Sequence, residues 1–181
     1  MNPTDLSPII SKLTGKHKIP PRLLAHLSLV YDVAKTITIW LHKNYPQIEF
    51  DENAVLFGAA THDIGKVIAT DEITKPGSTH EKLGYQLLIE QGMKASLARF
   101  TYTHSSWTSK VTTIEDWIVS LADKVWRGTR LTDLEDQIVQ HISDISKKEK
   151  WQVFLELDDL LTLISQDSET RIAFQTKQDL E

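Results

Sequence analysis

Four of the seven histidines in this 181-residue chain fall inside rows of apolar residues at helical spacing. His26 sits among Leu23, Leu27, Val30 and Val33, and His62 follows Val55 and Ala59. His80 leads Leu83, Leu87 and Leu88, and His104 ends the row Leu97, Phe100 and Thr101. Asp63 follows His62 directly, and Asp123 lies beside the stripe Ile114, Ile118, Leu121 and Val125. Chance alone gives about 0.5 His-Asp dipeptides in a chain of this composition, so placement, not the dipeptide, carries the argument. One buried histidine is ordinarily a satisfied core residue. Four of them with two aspartates, on separate elements, are costly to bury without partners. A divalent metal removes that cost by supplying positive charge and taking up the lone pairs.

The elements that must position these groups are clearly punctuated. Pro20-Pro21 predicts the start of a long helix ending near Asn44-Tyr45-Pro46. Asp51 is the expected N-cap of a second helix over 51–66. Residues 69–77, with Pro76-Gly77, read as a loop. Three capping-box patterns follow: Ser78 with Glu81, Thr112 with Glu115, and Thr132 with Glu135. They predict a third helix stopped by Gly92, a helix running to Gly128, and a helical C-terminal region to about 164; a further helix is expected over 94–103. The residues from 166 onward are polar and expected to fray. No stretch alternates at period two for long enough to predict a strand, so the expected fold class is all-α.

The segments Leu24-Ala25-His26-Leu27, Thr61-His62-Asp63-Ile64-Gly65-Lys66, His80-Glu81-Lys82-Leu83-Gly84 and Leu121-Ala122-Asp123-Lys124 resemble the HD-domain superfamily, whose order is His, then His-Asp, then Asp along a helical bundle. The resemblance covers about residues 20–130. It implies one HD domain over 1–165, with C-terminal helices 132–165 packed on that motif core and a polar tail over 166–181. It also implies a metal-dependent phosphohydrolase acting on a phosphate ester or anhydride, nucleotides and phosphodiesters included, through a metal-activated hydroxide. His26, His62, Asp63 and Asp123 would hold one ion. His80 and His104, which mark the dinuclear branch, would hold a second, with Asp63 bridging both and serving catalysis. The glutamate-aspartate pair of the alarmone hydrolases is missing after the His-Asp, and so is the Gly-Tyr-Pro extension of the cyclic-dinucleotide phosphodiesterases. Two rival readings use the same ligands: a di-iron oxygenase, and a ligand-binding protein without turnover.

A phosphate substrate calls for cations near the ligands. Lys66, one turn from His62, is the first candidate for binding and catalysis, and Arg127, four residues beyond Asp123, is the second. Lys124 is a weaker candidate, and Arg130 reads as a surface charge. Trp107 and Lys110 lie in the connection after His104, where they would overhang a pocket and bind substrate, Trp107 by stacking on a base or sugar, with covering core the alternative for the tryptophan. His17, His42 and His141 fall outside the pattern, His42 at a helix end suited to a dipole contact.

The chain has no cysteine, which leaves imidazole and carboxylate as ligands and favours divalent Fe, Mn, Co or Zn. Hydrophobic residues make up 40% and charged residues 25%, the balance of a globular protein, and the net charge of -5 disfavours broad nucleic-acid binding and anionic lipid. There is no apolar run of the kind a signal peptide or membrane span needs, so a cytoplasmic location is expected. The apolar residues Trp151, Phe154, Leu157, Leu160 and Leu161 are expected to complete the bundle, a dimer surface being the alternative.

Overall fold

The computed structural model describes residues 1–178, and among them there is no strand. The chain belongs to the all-α class. Its helices are α1 (Ser7–Thr14), α2 (Pro21–Asn44), α3 (Glu52–Thr61), α4 (Thr79–Glu90), α5 (Ala95–Ala98), α6 (Phe100–Thr103), α7 (Ile114–Val125), α8 (Thr132–Ser146), α9 (Lys150–Gln166) and α10 (Ser168–Lys177). Short 3-10 turns at Ile64–Val67 and Thr70–Ile73 separate α3 from α4. No helix of the described residues is long and apolar enough to cross a membrane.

Two apolar clusters hold the bundle together. The larger joins Val30, Ile37 and Leu41 of α2 to Val55 of α3, Ile118 and Leu121 of α7, Val139 of α8 and Leu161 of α9. The smaller joins Leu6 and α1 to the start of α2, the first 3-10 turn and Leu88 of α4. Each fully buried aliphatic side chain contributes roughly 1.5–3 kcal/mol, which offsets the cost of the polar groups set between these helices.

Helix boundaries depart from the expected ones where tertiary contacts intervene. The helix expected over 51–66 begins as predicted, with the Asp51 side chain accepting from the Ala54 amide at 3.0 Å, but its α-form ends at Thr61. The backbone then tightens into a 3-10 turn so that Gly65 can lie against α4, where any Cβ would collide with the His80 carbonyl oxygen and the Gly84 nitrogen. The Ser78–Glu81 box does not form; Glu72 caps α4 instead, accepting from the Thr79 and His80 amides at 3.0 Å each. The box expected at Thr112 and Glu115 is shifted by one residue to Thr113 and Asp116, because the Thr112 hydroxyl is bound to the Trp107 carbonyl and the Trp117 indole. At α8 the Thr132–Glu135 box does not form: Leu131 is the N-cap, and Glu135 accepts from its amide at 3.0 Å instead of from Thr132. The 94–103 segment bends at Arg99 into α5 and α6.

The polar segment expected to fray is helical over Ser168–Lys177. Arg171 fixes it, donating to the Trp126 carbonyl at 2.8 Å and the Ile164 carbonyl at 2.7 Å, the freed acceptors at the ends of α7 and α9. Of the expected C-terminal core residues, Leu157, Leu160 and Leu161 are buried, while Trp151 and Phe154 face outward at 62% and 44% exposure.

Candidate metal centre

Three helices and two helix ends bring the candidate ligands together. His26 projects from α2, His62 and Asp63 from the end of α3, His80 from the first turn of α4, His104 from the end of α6 and Asp123 from α7. All six are buried. Two triads result, His26 with His62 and Asp123, and Asp63 with His80 and His104, and the ligand atoms within each lie within 4.8 Å of one another. Asp63 links the triads through its two oxygens. Its Oδ2 is 3.3 Å from His26 Nε2 and 3.7 Å from His62 Nε2, while its Oδ1 is 3.0 Å from His80 Nε2 and 3.7 Å from His104 Nε2. Asp123 Oδ1 lies 3.3 Å from His26 Nε2 and 3.4 Å from His62 Nε2.

The imidazole tautomers fit an ion. His62 Nδ1 is 3.0 Å from the Ala59 carbonyl, and His104 Nδ1 is 3.1 Å from the Phe100 carbonyl, so both Nδ1 atoms carry the proton and donate. His80 Nδ1 donates to Glu72 at 2.6 Å. In each ring the unprotonated Nε2 then turns its lone pair toward the cluster, the arrangement that outer partners of metal-bound histidine enforce. His26 Nε2 and His62 Nε2 face each other at 3.2 Å, and His80 Nε2 is buried with no hydrogen-bond partner. Two nitrogens aimed at one point beside two carboxylates make a donor set that a divalent cation satisfies and a neutral interior does not.

The electrostatics agree. Burial alone would raise the carboxyls of Asp63 and Asp123, but the neighbouring histidines outweigh it and hold both well below the ordinary carboxylate range. Burial lowers His26 and His80, yet their carboxylate partners reverse the sign and raise both. His104, buried and close to His62, is pushed down to about 4. The centre therefore attracts positive charge while His104 stays neutral.

A cleft of about 500 Å³ opens onto five of these six residues, with His62 fully buried behind them. Lys66, Lys124 and Arg127 line it, as does Arg22, which the sequence reading missed. The Lys66 ammonium is not aligned with His62 along a helix; the 3-10 turn places it 2.5 Å from Asp63 Oδ2. Lys124 is no mere surface charge, since its Nζ lies 2.7 Å from Asp123 Oδ2. Trp107 and Lys110 are not brought to the cleft: Trp107 packs against the larger core, and Lys110 is exposed elsewhere. Arg130 pairs with Glu135 and Asp158. His42 lies in the last turn of α2, as expected, and also pairs with Glu52 at 3.3 Å, and His141 packs edge-on against Trp117.

Glu72 is another residue of the candidate site that sequence reasoning passed over. It sits in a stretch read as loop, eight residues from the histidine it orients. Burial would raise its carboxyl, but hydrogen bonds from His80 and Thr79 bring it down to about 2. Replacing it by alanine (Glu72→Ala) is expected to weaken ion binding at the His80–His104 side by about 10–100-fold, with the His26 side retained. Titration of the variant with Mn or Co, read by calorimetry and elemental analysis, checks this; unchanged affinity at both sites would refute it. A second lock lies behind His104. Asp116, fully buried, accepts from Arg99 Nε at 3.0 Å and from the Thr103 hydroxyl at 2.7 Å, tying α6 to α7 one residue before the ligand.

A family model described as HD domain matches residues 23–128, the stretch that supplies all six candidate ligands. No curated protein and no solved structure matches the chain significantly.

Proposed function

The chain belongs to the HD-domain family, and on that premise we propose that it is a metal-dependent phosphohydrolase with a dinuclear centre. One observation carries the reading: two His/Asp triads joined by Asp63 stand at the floor of a cleft lined by Lys66, Lys124 and Arg127. Cations beside a carboxylate-rich centre suit an anionic substrate that approaches the ligands directly. His26, His62, Asp63 and Asp123 would hold one divalent ion, and Asp63, His80 and His104 the other. Bound there, divalent ions would lower the pKa of a coordinated water from ~16 toward ~7 and neutralise developing phosphoryl charge.

The remaining work falls to side chains. Arg127, exposed at the cleft and without an ion pair among the described residues, offers a planar fork of donors to phosphoryl oxygens. Lys66 and Lys124 each rest on a ligand carboxylate, so both charges stand beside the reacting group without having to be recruited. Glu72, through His80, holds one imidazole in its ligating tautomer.

The test begins with protein purified without chelator or imidazole, assayed on alkyl and aryl phosphate mono- and diesters. Phosphate release that a chelator abolishes and Mn, Co, Fe(II) or Zn restores is the expected result. Oxygen uptake without phosphate release would replace this reading with the oxygenase one. Full metal loading with neither activity would leave a binding protein.

A further inference from the structure

We propose that the cleft takes a small phosphomonoester of a polyhydroxylated alcohol, a sugar or polyol phosphate, in preference to a nucleotide; the inference rests on the phosphohydrolase reading. The walls of the cleft differ in chemistry. The Lys66 and Lys124 ammonium groups sit on the carboxylates of Asp63 and Asp123, and Arg127 lies three residues beyond Lys124, so this side is cationic. Next to the other two histidines the lining turns acidic and hydroxylic. Glu81 follows His80, Ser105 follows His104, and the Ser105 hydroxyl donates to Glu81 Oε1 at 2.7 Å. A carboxylate offers about four acceptor positions, and this one contact leaves the rest for substrate hydroxyls. Gln175 of α10 also lines the cleft, and its side-chain amide has no hydrogen-bond partner among the described residues. An amide both donates and accepts, as an alcohol does.

A nucleobase wants an aromatic face to stack on. Among the described residues, and the histidines apart, the cleft's one aromatic lining residue is Trp126, which is 4% exposed and packed edge-on against His26 with ring centroids 5.1 Å apart. Its face is spent on the core. Among the described residues, aliphatic lining is confined to Leu23, Ile73 and Pro76. The phosphate is thus directed to Lys66, Lys124 and Arg127, and the hydroxyls to Glu81, Ser105 and Gln175. Water adds to phosphorus, the ester P–O bond breaks, and the departing alkoxide takes up the proton that the water gives up. The products are the polyol and inorganic phosphate. Gln175 lies beyond the family-matched residues 23–128, so part of this specificity is the chain's own.

The experiment compares phosphate release from glycerol 3-phosphate, propyl phosphate, glucose 6-phosphate and adenosine monophosphate by the metal-loaded protein. Expected kcat/KM values for the two hydroxylated esters are at least roughly tenfold above those for propyl phosphate and the nucleotide. The ratio of glycerol 3-phosphate to propyl phosphate should fall by about tenfold in Glu81→Gln and in Gln175→Ala. Equal turnover of propyl and glycerol phosphates, or preference for the nucleotide, overturns the inference while the hydrolase reading stands. If no ester is cleaved, calorimetry decides. Tighter binding of glucose 6-phosphate than of the nucleotide upholds the ligand class and sinks hydrolysis; no binding of either sinks both.

Discussion

Asp63→Ala is expected to abolish turnover, by three orders of magnitude or more, and to strip both ions from the protein. The reason lies in the two oxygens of one side chain. Oδ2 faces His26 and His62, and Oδ1 faces His80 and His104. Removing the carboxylate leaves four imidazoles and the Lys66 ammonium around an uncharged gap, with the nearest remaining anion on Asp123. A centre that loses its shared anion loses affinity on both sides. His104→Ala, by contrast, takes one ligand from one triad and should cost one ion while the other stays. Elemental mass spectrometry and phosphate release on both variants make the comparison. Two ions retained by the Asp63 variant would mean that the carboxylate does not bridge.

The largest structural effect is expected from a single methyl group. In Gly65→Ala the new Cβ would meet backbone atoms of α4, the His80 carbonyl oxygen and the Gly84 nitrogen, which cannot swing aside as a flexible side chain can. The 3-10 turn must then separate from α4. Overpacking of this kind costs about 3 kcal/mol or more, equivalent to a Tm drop of roughly 6–12 °C in a chain of this size. The same displacement moves Asp63, two residues before Gly65, away from His80, now 3.0 Å distant. Stability and ion affinity should therefore fall together. Thermal melting with and without Mn measures both, and a variant that melts within about 2 °C of the parent would show that the turn has room to spare.

Much of this arrangement was legible in the chain itself. Pro21 and Asn44 bound α2 as prolines and apolar spacing predict, and Gly92, with positive φ, stops α4 where expected, while α7 ends at Val125, three residues before the positive-φ Gly128. His26, His62, His80 and His104 were recognisable because each interrupts an apolar row, and a row that tolerates imidazole must have a use for it. Features that depend on partners distant in sequence were not legible. Thr112 and Thr113 both precede an acid at the capping distance, and the choice between them rests on where the Trp107 carbonyl and the Trp117 indole fall. The helix end at Thr61 is dictated by α4, not by residues 62–66. Glu72 lies in a polar stretch with no periodicity, so nothing local marks it as the partner of His80. Gln175 was hidden for a related reason: α10 is polar along most of its length and is held by Arg171 and the carbonyls it reaches. Trp107 was ambiguous in the sequence, since an aromatic beside a ligand covers core as readily as it covers substrate, and here it covers core.

The six candidate ligands come from positions as far apart as 26 and 123, and the unfolded chain has nothing equivalent to offer an ion. Binding confined to the native state draws the folding equilibrium with it, by about 2.7 kcal/mol at a free ion concentration 100 times Kd. That is a sizeable share of the roughly 5–15 kcal/mol that holds a domain together. In a living cell the lifetime of this protein would then track metal supply: starved chains would open more often, meet proteases sooner and become scarce before their chemistry failed. Abundance, not only activity, would register the nutritional state.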